Sequence, residues 1–163
     1  LTLCLVCYYG LIRRTELTKL RVSDVSLDNS TIWIDGADSK NKKSKHITIP
    51  NELQPFLVDH LKASKLTDYL FSNENFTPGP LKIHPDRVTK NWARMRTELN
   101  ISKSIDWYSL KDSGITDLLR AGVPLISVRD QARHHSSAQT DTYTPKDLKI
   151  ADQNIQISDV KFT

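Results

Sequence analysis

Residues 131–145, with the sequence QARHHSSAQTDTYTP, combine two histidines, a run of small hydroxyl residues and one tyrosine. Tyr143 follows His134 by nine positions, and the residues between them are mostly polar. A tyrosine hydroxyl has a pKa of about 10 and is a weak nucleophile, but it suits phosphoryl transfer, where positioning and charge stabilisation supply most of the catalysis. The segment is therefore either a plain surface loop or the means of delivering Tyr143 to a phosphate.

Attack of Tyr143 on a DNA phosphodiester would require several cations around the phosphate. The chain offers candidates in four places, namely Arg13 after the first predicted helix, Lys40 in a predicted hairpin, Lys111 at a predicted helix start and His134. The lysine-rich hairpin is by itself more typical of a soluble turn. A fold is needed to bring these distant residues together.

Length and composition indicate one soluble globular domain with a real core: 163 residues, 38% hydrophobic and 26% charged. The net charge of +4 permits a polyanion such as DNA as partner without arguing for it. The apolar run of residues 1–11 is too short to span a bilayer, which takes about 20 apolar residues. We expect a core helix there, and no membrane association.

Cys4 and Cys7 form a lone C-x-x-C, and the sequence has no second pair that could complete a zinc site. We interpret them as two small buried residues, reduced as in a cytoplasmic protein. No compact Asp/Glu/His cluster with ligand spacing is visible, which argues against an ordinary metal nuclease. We predict no metal site.

The hydrophobic pattern predicts an α+β fold, mainly helical, with a small antiparallel β-sheet near the N-terminus. Ile32, Ile34, Ile47 and Ile49 alternate with outward-facing residues, and the polar run from Gly36 to Lys45 is predicted as the hairpin tip. Asn51 is the predicted N-cap of a helix with one apolar stripe: Leu53, Phe56, Leu57 and Leu61.

A second amphipathic helix is predicted from Asp86 to Leu99. Its apolar face would comprise Val88, Trp92, Met95 and Leu99, and its basic face Arg87, Lys90 and Arg94. Such a basic face is more often a solvated surface than a phosphate rail. The last third of the chain predicts two or three short helices, broken at residues 122–124.

Residues 8–25, YYGLIRRTELTKLRVSDV, resemble box I of the tyrosine recombinases, the phage integrase family, with the pattern G-L-R-x-x-E-L-x-x-L-x-x-x-D. In that family the arginine three residues before Glu-Leu binds the scissile phosphate. The count to Glu16 selects Arg13, with Arg14 as the alternative.

Residues 39–50, SKNKKSKHITIP, resemble the family's β-hairpin with its catalytic lysine. Counting back from the closing proline selects Lys40, and Lys42 would take the role in a hairpin two residues tighter. Residues 131–145 resemble L-G-H-x-x-x-x-T-T-x-x-Y, which selects His134 and Tyr143 and leaves His135 as a neighbour or substitute.

The sequence departs from the family pattern at three positions. Tyr108 and Lys111 stand where most members carry H-x-x-R. Lys111 keeps the positive charge but lacks the planar fork of arginine, and Tyr108 is neutral at pH 7. Arg133 replaces the usual glycine before His134, which adds a cation close to the phosphate.

The resemblance implies a site-specific recombinase or integrase of a mobile element, in which Tyr143 forms a 3′-phosphotyrosyl intermediate with double-stranded DNA. Arg13, Lys111 and His134 would stabilise the phosphate, Lys40 would protonate the leaving 5′-oxygen, and Tyr108 would complete the site. No metal, ATP or other cofactor is implied. Expected further DNA contacts are Arg14, Lys42, Arg87, Lys90, Arg94, Arg133 and His135.

Residues 1–145 are expected to form the catalytic domain, and residues 146–163 a C-terminal tail that docks in cis or in trans within a homo-oligomer, a tetramer on DNA. The chain begins inside an apolar run, so we expect a fragment that lacks an N-terminal DNA-binding domain. Two alternatives stay open. One is a DNA-binding module of the same fold with impaired catalysis, and the other is a type IB topoisomerase.

Overall fold

The computed structural model of the chain describes residues 1–37 and 44–145. Its elements, in chain order, are α1 (Thr2–Gly10), α2 (Arg14–Leu17), β1 (Val25–Ser26), β2 (Thr31–Ile34), β3 (Lys45–Thr48), α3 (Gln54–Leu61), α4 (Pro85–Glu98), α5 (Tyr108–Arg120), α6 (Leu125–Ala132) and α7 (Ser137–Asp141). This confirms the mainly helical α+β fold. Across the described part of the chain, no helix has the length and apolar character to cross a membrane.

The three strands form an antiparallel sheet in the order β1-β2-β3, in which Ile32 pairs with Ile47. The predicted alternation is confirmed, because Ile32, Ile34, Ile47 and Ile49 are all buried. Strand β3 begins at Lys45, at the end of the predicted hairpin tip. Lys40 and Lys42 lie outside the described residues, as does the tail from residue 146 onward.

Helix α1 forms part of the core and is crossed at close range by α5. Cys7 is buried and Cys4 partly buried, and both are free thiols, as the composition predicts. The crossing requires Gly114, because a Cβ atom there would lie 2.2 Å from the backbone oxygen of Tyr8. This close approach brings the start of α5 beside the chain that leaves α1.

Helices α1 and α6 both end in residues with left-handed backbone conformation. Leu11 follows α1 with φ 51°, and Arg133 follows α6 with φ 54°. For residues other than glycine this conformation costs about 1–2 kcal/mol. The two reversals direct Arg13 and His134, which follow them, toward the same region.

The predicted N-cap of α3 and the predicted place of Leu99 on the apolar face of α4 were wrong, whereas the bounds of α4 lie within one residue of those predicted. Asn51 is not an N-cap, because residues 51–53 form a turn and α3 begins at Gln54 after Leu53. The inward face of α3 therefore passes through Leu57, and Phe56 is exposed. Helix α4 ends at Glu98, so Leu99 leaves the apolar face and is 62% exposed.

Candidate active site

Arg13 lies at the N-terminus of α2 and is held by the helix that it begins. Its backbone N–H donates to Glu16 Oε2 at 2.9 Å, and its Nη1 donates to Glu16 Oε1 at 3.1 Å. A glutamate at the third helical position that binds back to the N-cap is half of a capping box. Nη2 donates to the backbone oxygen of Arg133 at 3.2 Å, and 15% of the side chain remains exposed. The guanidinium is thus fixed with one edge accessible.

The carboxylate of Glu16 is buried between two arginines. Its Oε2 also accepts from Arg133 Nη2 at 2.5 Å. A carboxylate is tolerated in a protein interior only when it is paired and hydrogen-bonded, and this one is paired twice. Glu16 therefore joins the box I segment to the end of α6.

Lys111 projects inward from α5 and donates from Nζ to the backbone oxygen of Ala132 at 3.0 Å. The side chain is buried, and its pKa is lowered to about 7, first by burial and then by the charges of Arg13 and Arg133. Three cationic side chains converge here with Glu16 as a shared counterion. A bound anion would stabilise the charged form of Lys111.

His134 follows Arg133 and is oriented by a buried hydroxyl. Its Nδ1 lies 3.0 Å from Thr140 Oγ1, and its ring stacks on that of Tyr143 with centroids 5.9 Å apart. Burial lowers the pKa of His134 to about 4, with further contributions from Lys111, Arg13 and the other nearby cations. The imidazole is thus neutral at pH 7 until a negative charge arrives.

Tyr143 is partly buried against an apolar cluster at the ends of α1, α5 and α6, which comprises Leu11, Ile115, Leu119, Val128 and Ala132. Burial raises the pKa of its phenol, and the charge of Asp112 and a hydrogen bond to that carboxylate raise it further. Asp112 lies next to Lys111 on α5. The phenol therefore interacts with Asp112 in its neutral form, and it meets the cation cluster through the ring of His134, on which it stacks.

The hydroxyl-rich segment between His134 and Tyr143, predicted as either a surface loop or the means of delivering Tyr143, contains a short helix, α7. Ser136 caps it by accepting a hydrogen bond from the Gln139 backbone N–H at 3.3 Å. Thr140 is buried and turned toward His134. The helix connects His134 to Tyr143, and the two rings stack on each other.

The profile of the phage integrase family matches residues 1–149. The chain belongs to the phage integrase family. A tyrosine recombinase of Thermosipho africanus is 26% identical over 146 residues, 90% of this chain and 48% of the relative. One of Pseudothermotoga lettingae is 29% identical over 155 residues, 94% of this chain and 50% of the relative. The chain thus spans about half the length of these curated relatives, and neither alternative predicted from the sequence is favoured.

Solved structures share the fold of this phage integrase family member. The XerA recombinase superposes with a TM-score of 0.71 at 22% identity, over 93% of this chain and 53% of that one. The Tn1549 transposon integrase in complex with a circular intermediate DNA gives a TM-score of 0.74 at 15% identity, over 88% of this chain and 52% of that one. The small sheet and the helices around it are therefore the family's fold.

The structure attaches the family's hairpin strand β3 to the end of α6. Gln131 Oε1 accepts from the Thr48 backbone N–H at 3.0 Å, and Gln131 Nε2 donates to the Thr48 oxygen at 2.8 Å. Lys45 Nζ lies 3.3 Å from Asp130 Oδ1. Strand β3, which follows the segment with Lys40, thus lies next to the site.

Several predicted site residues lie outside the cluster. Tyr108 is the first residue of α5 and is 39% exposed, one turn before Lys111. His135 is exposed, and its backbone N–H donates to Gln139 Oε1 at 3.3 Å. Arg14 turns toward α4, where its Nη1 donates to Thr89. Of the two adjacent arginines, only Arg13 faces the cluster.

The predicted basic face of α4 is divided. Arg87 donates to Asn73 and lies over the ring of Phe76, with 5.5 Å to the centroid, so it supports the loop before α4. Lys90 is exposed, and the exposed Arg94 lies 3.6 Å from Glu98. Lys90 and Arg94 are accessible to a polyanion, whereas Arg87 is engaged within the protein.

Three residues of the site were not assigned from the sequence. Glu16 is part of the box I pattern, and Thr140 belongs to the T-T pair of the last motif, so both carried a signal. Asp112 had none beyond its place after Lys111. Over residues 1–37 and 44–145, no three His, Cys, Asp or Glu side chains are placed to hold a metal ion.

Proposed function

We propose that the chain is the catalytic domain of a site-specific DNA recombinase, which cleaves and rejoins DNA through a 3′-phosphotyrosyl intermediate. The proposal depends on one observation: the ring of Tyr143 stacks on His134, and the imidazole of His134 lies near cations that come from three separate segments. Arg13 and Arg133 both pair with the buried carboxylate of Glu16, and Lys111 lies within reach of all three charges, so the cluster carries excess positive charge. Such a site favours a phosphate group.

Tyr143 is proposed as the nucleophile. Its hydroxyl oxygen would form a bond to the scissile phosphorus while the bond to the 5′-oxygen breaks, and the DNA 3′-phosphate would be left on the tyrosine. The phenolic proton would pass to the carboxylate of Asp112, to which the hydroxyl is hydrogen-bonded. Arg13 and Lys111 would stabilise the negative charge on the non-bridging oxygens, as preorganised donors do in phosphoryl transfer. His134, stacked on Tyr143, would donate to the same oxygens once the phosphate raises its proton affinity.

The leaving 5′-oxygen requires a proton, and Lys40 is proposed to supply it as general acid. General acid catalysis of this kind contributes about 10²- to 10⁴-fold. Attack of a second strand's 5′-hydroxyl on the phosphotyrosine would then release Tyr143 and join the strands. The phosphodiester energy is held in the covalent bond, so no metal or nucleotide cofactor is invoked.

Double-stranded DNA is the proposed partner, and a homo-tetramer the proposed assembly on it. The solved structures of related fold include XerH recombinase bound to its difH substrate, at 20% identity and a TM-score of 0.67. In this chain the exposed Lys90 and Arg94 on α4 are proposed backbone contacts, which would give salt-dependent affinity. Lys42, Arg14 and His135 are proposed as supporting contacts.

Covalent capture tests the proposal directly. The intact protein is produced in cells that contain its DNA target, the cells are lysed in denaturant, and the DNA that stays attached to protein is sequenced. We expect discrete junctions with protein on the 3′-phosphate. DNA joined through a 5′-phosphate, or no enrichment over a Tyr143→Phe variant, would refute the function.

A further inference from the structure

Arg133 has a backbone conformation that arginine rarely adopts. It ends α6 with φ 54°, in the left-handed region, where glycine is accommodated without strain and where the family pattern has glycine. Substitution of arginine for glycine at such a position is expected to be destabilising unless the side chain makes compensating contacts. The contacts of the Arg133 side chain are therefore expected to offset the strain of its backbone.

The guanidinium of Arg133 turns into the protein. Nη2 lies 2.5 Å from Glu16 Oε2 and 3.4 Å from the backbone oxygen of Leu11, and Nη1 donates to the Gln131 oxygen at 3.1 Å. Only 3% of the side chain is exposed. It therefore satisfies the carboxylate and the carbonyl oxygens at the ends of α1 and α6, where the helix dipoles favour a cation.

Arg133 also reaches Arg13 by a second route, through its backbone. The carbonyl oxygen of Arg133 accepts a hydrogen bond from Arg13 Nη2 at 3.2 Å, while Glu16, held by the Arg133 side chain, accepts from Arg13 Nη1 at 3.1 Å. The two terminal nitrogens of Arg13 are thus both oriented by groups that Arg133 supplies or holds. The orientation of Arg13 depends on Arg133.

We propose that Arg133 is a positioning residue for Arg13, acting through Glu16 and through its own carbonyl group, and makes no contact with the DNA phosphate. The inference rests on the proposed function, since it gives Arg133 a role in the cleavage that Arg13 supports. It replaces the expectation from the sequence that Arg133 is an added phosphate-binding cation. The expectation is replaced because the guanidinium of Arg133 is buried against Glu16, Gln131 and Leu11 and is not available to bind a phosphate.

A double-mutant cycle distinguishes the two roles, because residues that act as one unit give non-additive losses. Single-turnover cleavage is measured for the parent, Arg133→Gly, Arg13→Ala and the double variant. Glycine accepts the backbone conformation at 133, so the fold is expected to be retained. Arg129→Ala is the matched control, because it removes an arginine from α6 that pairs with Asp130 at the surface.

We expect Arg133→Gly to slow cleavage by about tenfold or more and Arg13→Ala by about 10²- to 10³-fold, with the double variant within about threefold of Arg13→Ala. Arg129→Ala should stay within about threefold of the parent. Should Arg133→Gly be defective in folding, Arg133→Asn replaces it in the cycle, because asparagine also tolerates the left-handed conformation and carries no charge. Losses that multiply would show that Arg133 binds the phosphate independently or has only a general structural role, and would overturn the inference.

A second cycle needs no DNA and separates this inference from the proposed function. Urea unfolding is measured for Glu16→Gln, Arg133→Gly and their double variant. We expect the two losses to be coupled by about tenfold in the unfolding constant. Additive losses would overturn the inference even in an active protein. A parent that forms no covalent adduct would refute the proposed function, and the unfolding cycle would still decide whether Arg133 holds Glu16.

Discussion

The imidazole of His134 stacks on the phenol of Tyr143, with ring planes inclined by 25° and centroids 5.9 Å apart. The pair is held by α7, whose buried Thr140 lies 3.0 Å from His134 Nδ1. A histidine with its pKa lowered to about 4 is thus in contact with a phenol whose pKa is raised. Both groups are neutral at pH 7, and a phosphate placed between them and the cations would raise the pKa of His134 and favour its protonation.

The pKa of His134 makes the stability of the fold dependent on pH. The ordinary pKa of 6.5 is lowered to about 4 in the folded state, so the unfolded chain binds a proton that the folded chain excludes. The contribution to stability is fully present above about pH 6.5 and is lost as the pH falls toward about 4. Urea unfolding at pH 7 and pH 5 should show this loss.

His134→Gln should flatten that pH dependence, because glutamine does not titrate. His135→Gln is the matched control, since His135 is the adjacent, exposed histidine, and this variant should keep the pH dependence of the parent. An equally steep dependence in His134→Gln would mean that another group is responsible.

Arg13 and Arg14 are adjacent in sequence but face different neighbours. Arg13→Ala should slow single-turnover cleavage by about 10²- to 10³-fold, the usual loss for one preorganised charge stabiliser. Arg14→Ala removes only a contact to Thr89 on α4 and should stay within about tenfold of the parent. Equal losses in the two variants would show that the box I register is wrong.

Lys111 is expected to tolerate arginine better than alanine. Lys111→Arg keeps the charge and restores a planar fork, so cleavage at saturating protein should be kept or raised, while Lys111→Ala should lose about 10²- to 10³-fold. Cleavage by Lys111→Ala within about threefold of the parent, a change below about 1 kcal/mol, would remove Lys111 from the site.

The same residue predicts a pH effect. With a pKa of about 7 in the free protein, Lys111 loses its proton as the pH rises through 7, and the site then loses a cation. At subsaturating DNA, where the rate reports the free protein, cleavage by the parent should fall above about pH 7. Lys111→Arg should not show this fall, because arginine stays charged. If the pH–rate profile of Lys111→Arg were the same as that of the parent, Lys111 would not be the group that titrates.

Burial raises the pKa of the Tyr143 phenol, and Asp112 is predicted to raise that pKa further. Asp112→Asn removes a negative charge that raises the pKa of Tyr143, so that pKa should move down toward its ordinary value. The measurement is the tyrosinate absorbance change on raising the pH, with Tyr143→Phe identifying the contribution of Tyr143. Asp117→Asn, which loses the 2.6 Å bond from Tyr8 instead, is the matched control and should leave Tyr143 unchanged.

The sequence predicted those parts of the fold that depend on local pattern. Strict alternation at Ile32, Ile34, Ile47 and Ile49 predicted the sheet, because every second side chain of a strand points to the same face and these four are buried on it. The start of α3 was missed, because Asn51 is a good N-cap by type but precedes a turn. Capping preference is local, whereas the choice between competing starts depends on which leucines the core covers.

The candidate site was predictable only where a motif carried it. Arg13, His134 and Tyr143 follow from spacing, and the structure brings all three together. The pairing of Glu16 with Arg133 joins residues 117 positions apart, and no local pattern indicates it. From the sequence, Arg133 next to His134 was interpreted as a cation available to the phosphate. Only the fold shows that its side chain is buried against Glu16.

If Tyr143 is the nucleophile, it becomes joined to the DNA 3′-phosphate during cleavage. The intact protein is incubated with a nicked form of its target, so that the strand cannot be rejoined, and the denaturation-resistant adduct is digested and mapped by mass spectrometry. We expect one nucleotide-bearing peptide, modified at Tyr143, and no adduct in Tyr143→Phe. An adduct on another residue, or one of undiminished yield in Tyr143→Phe, would contradict it.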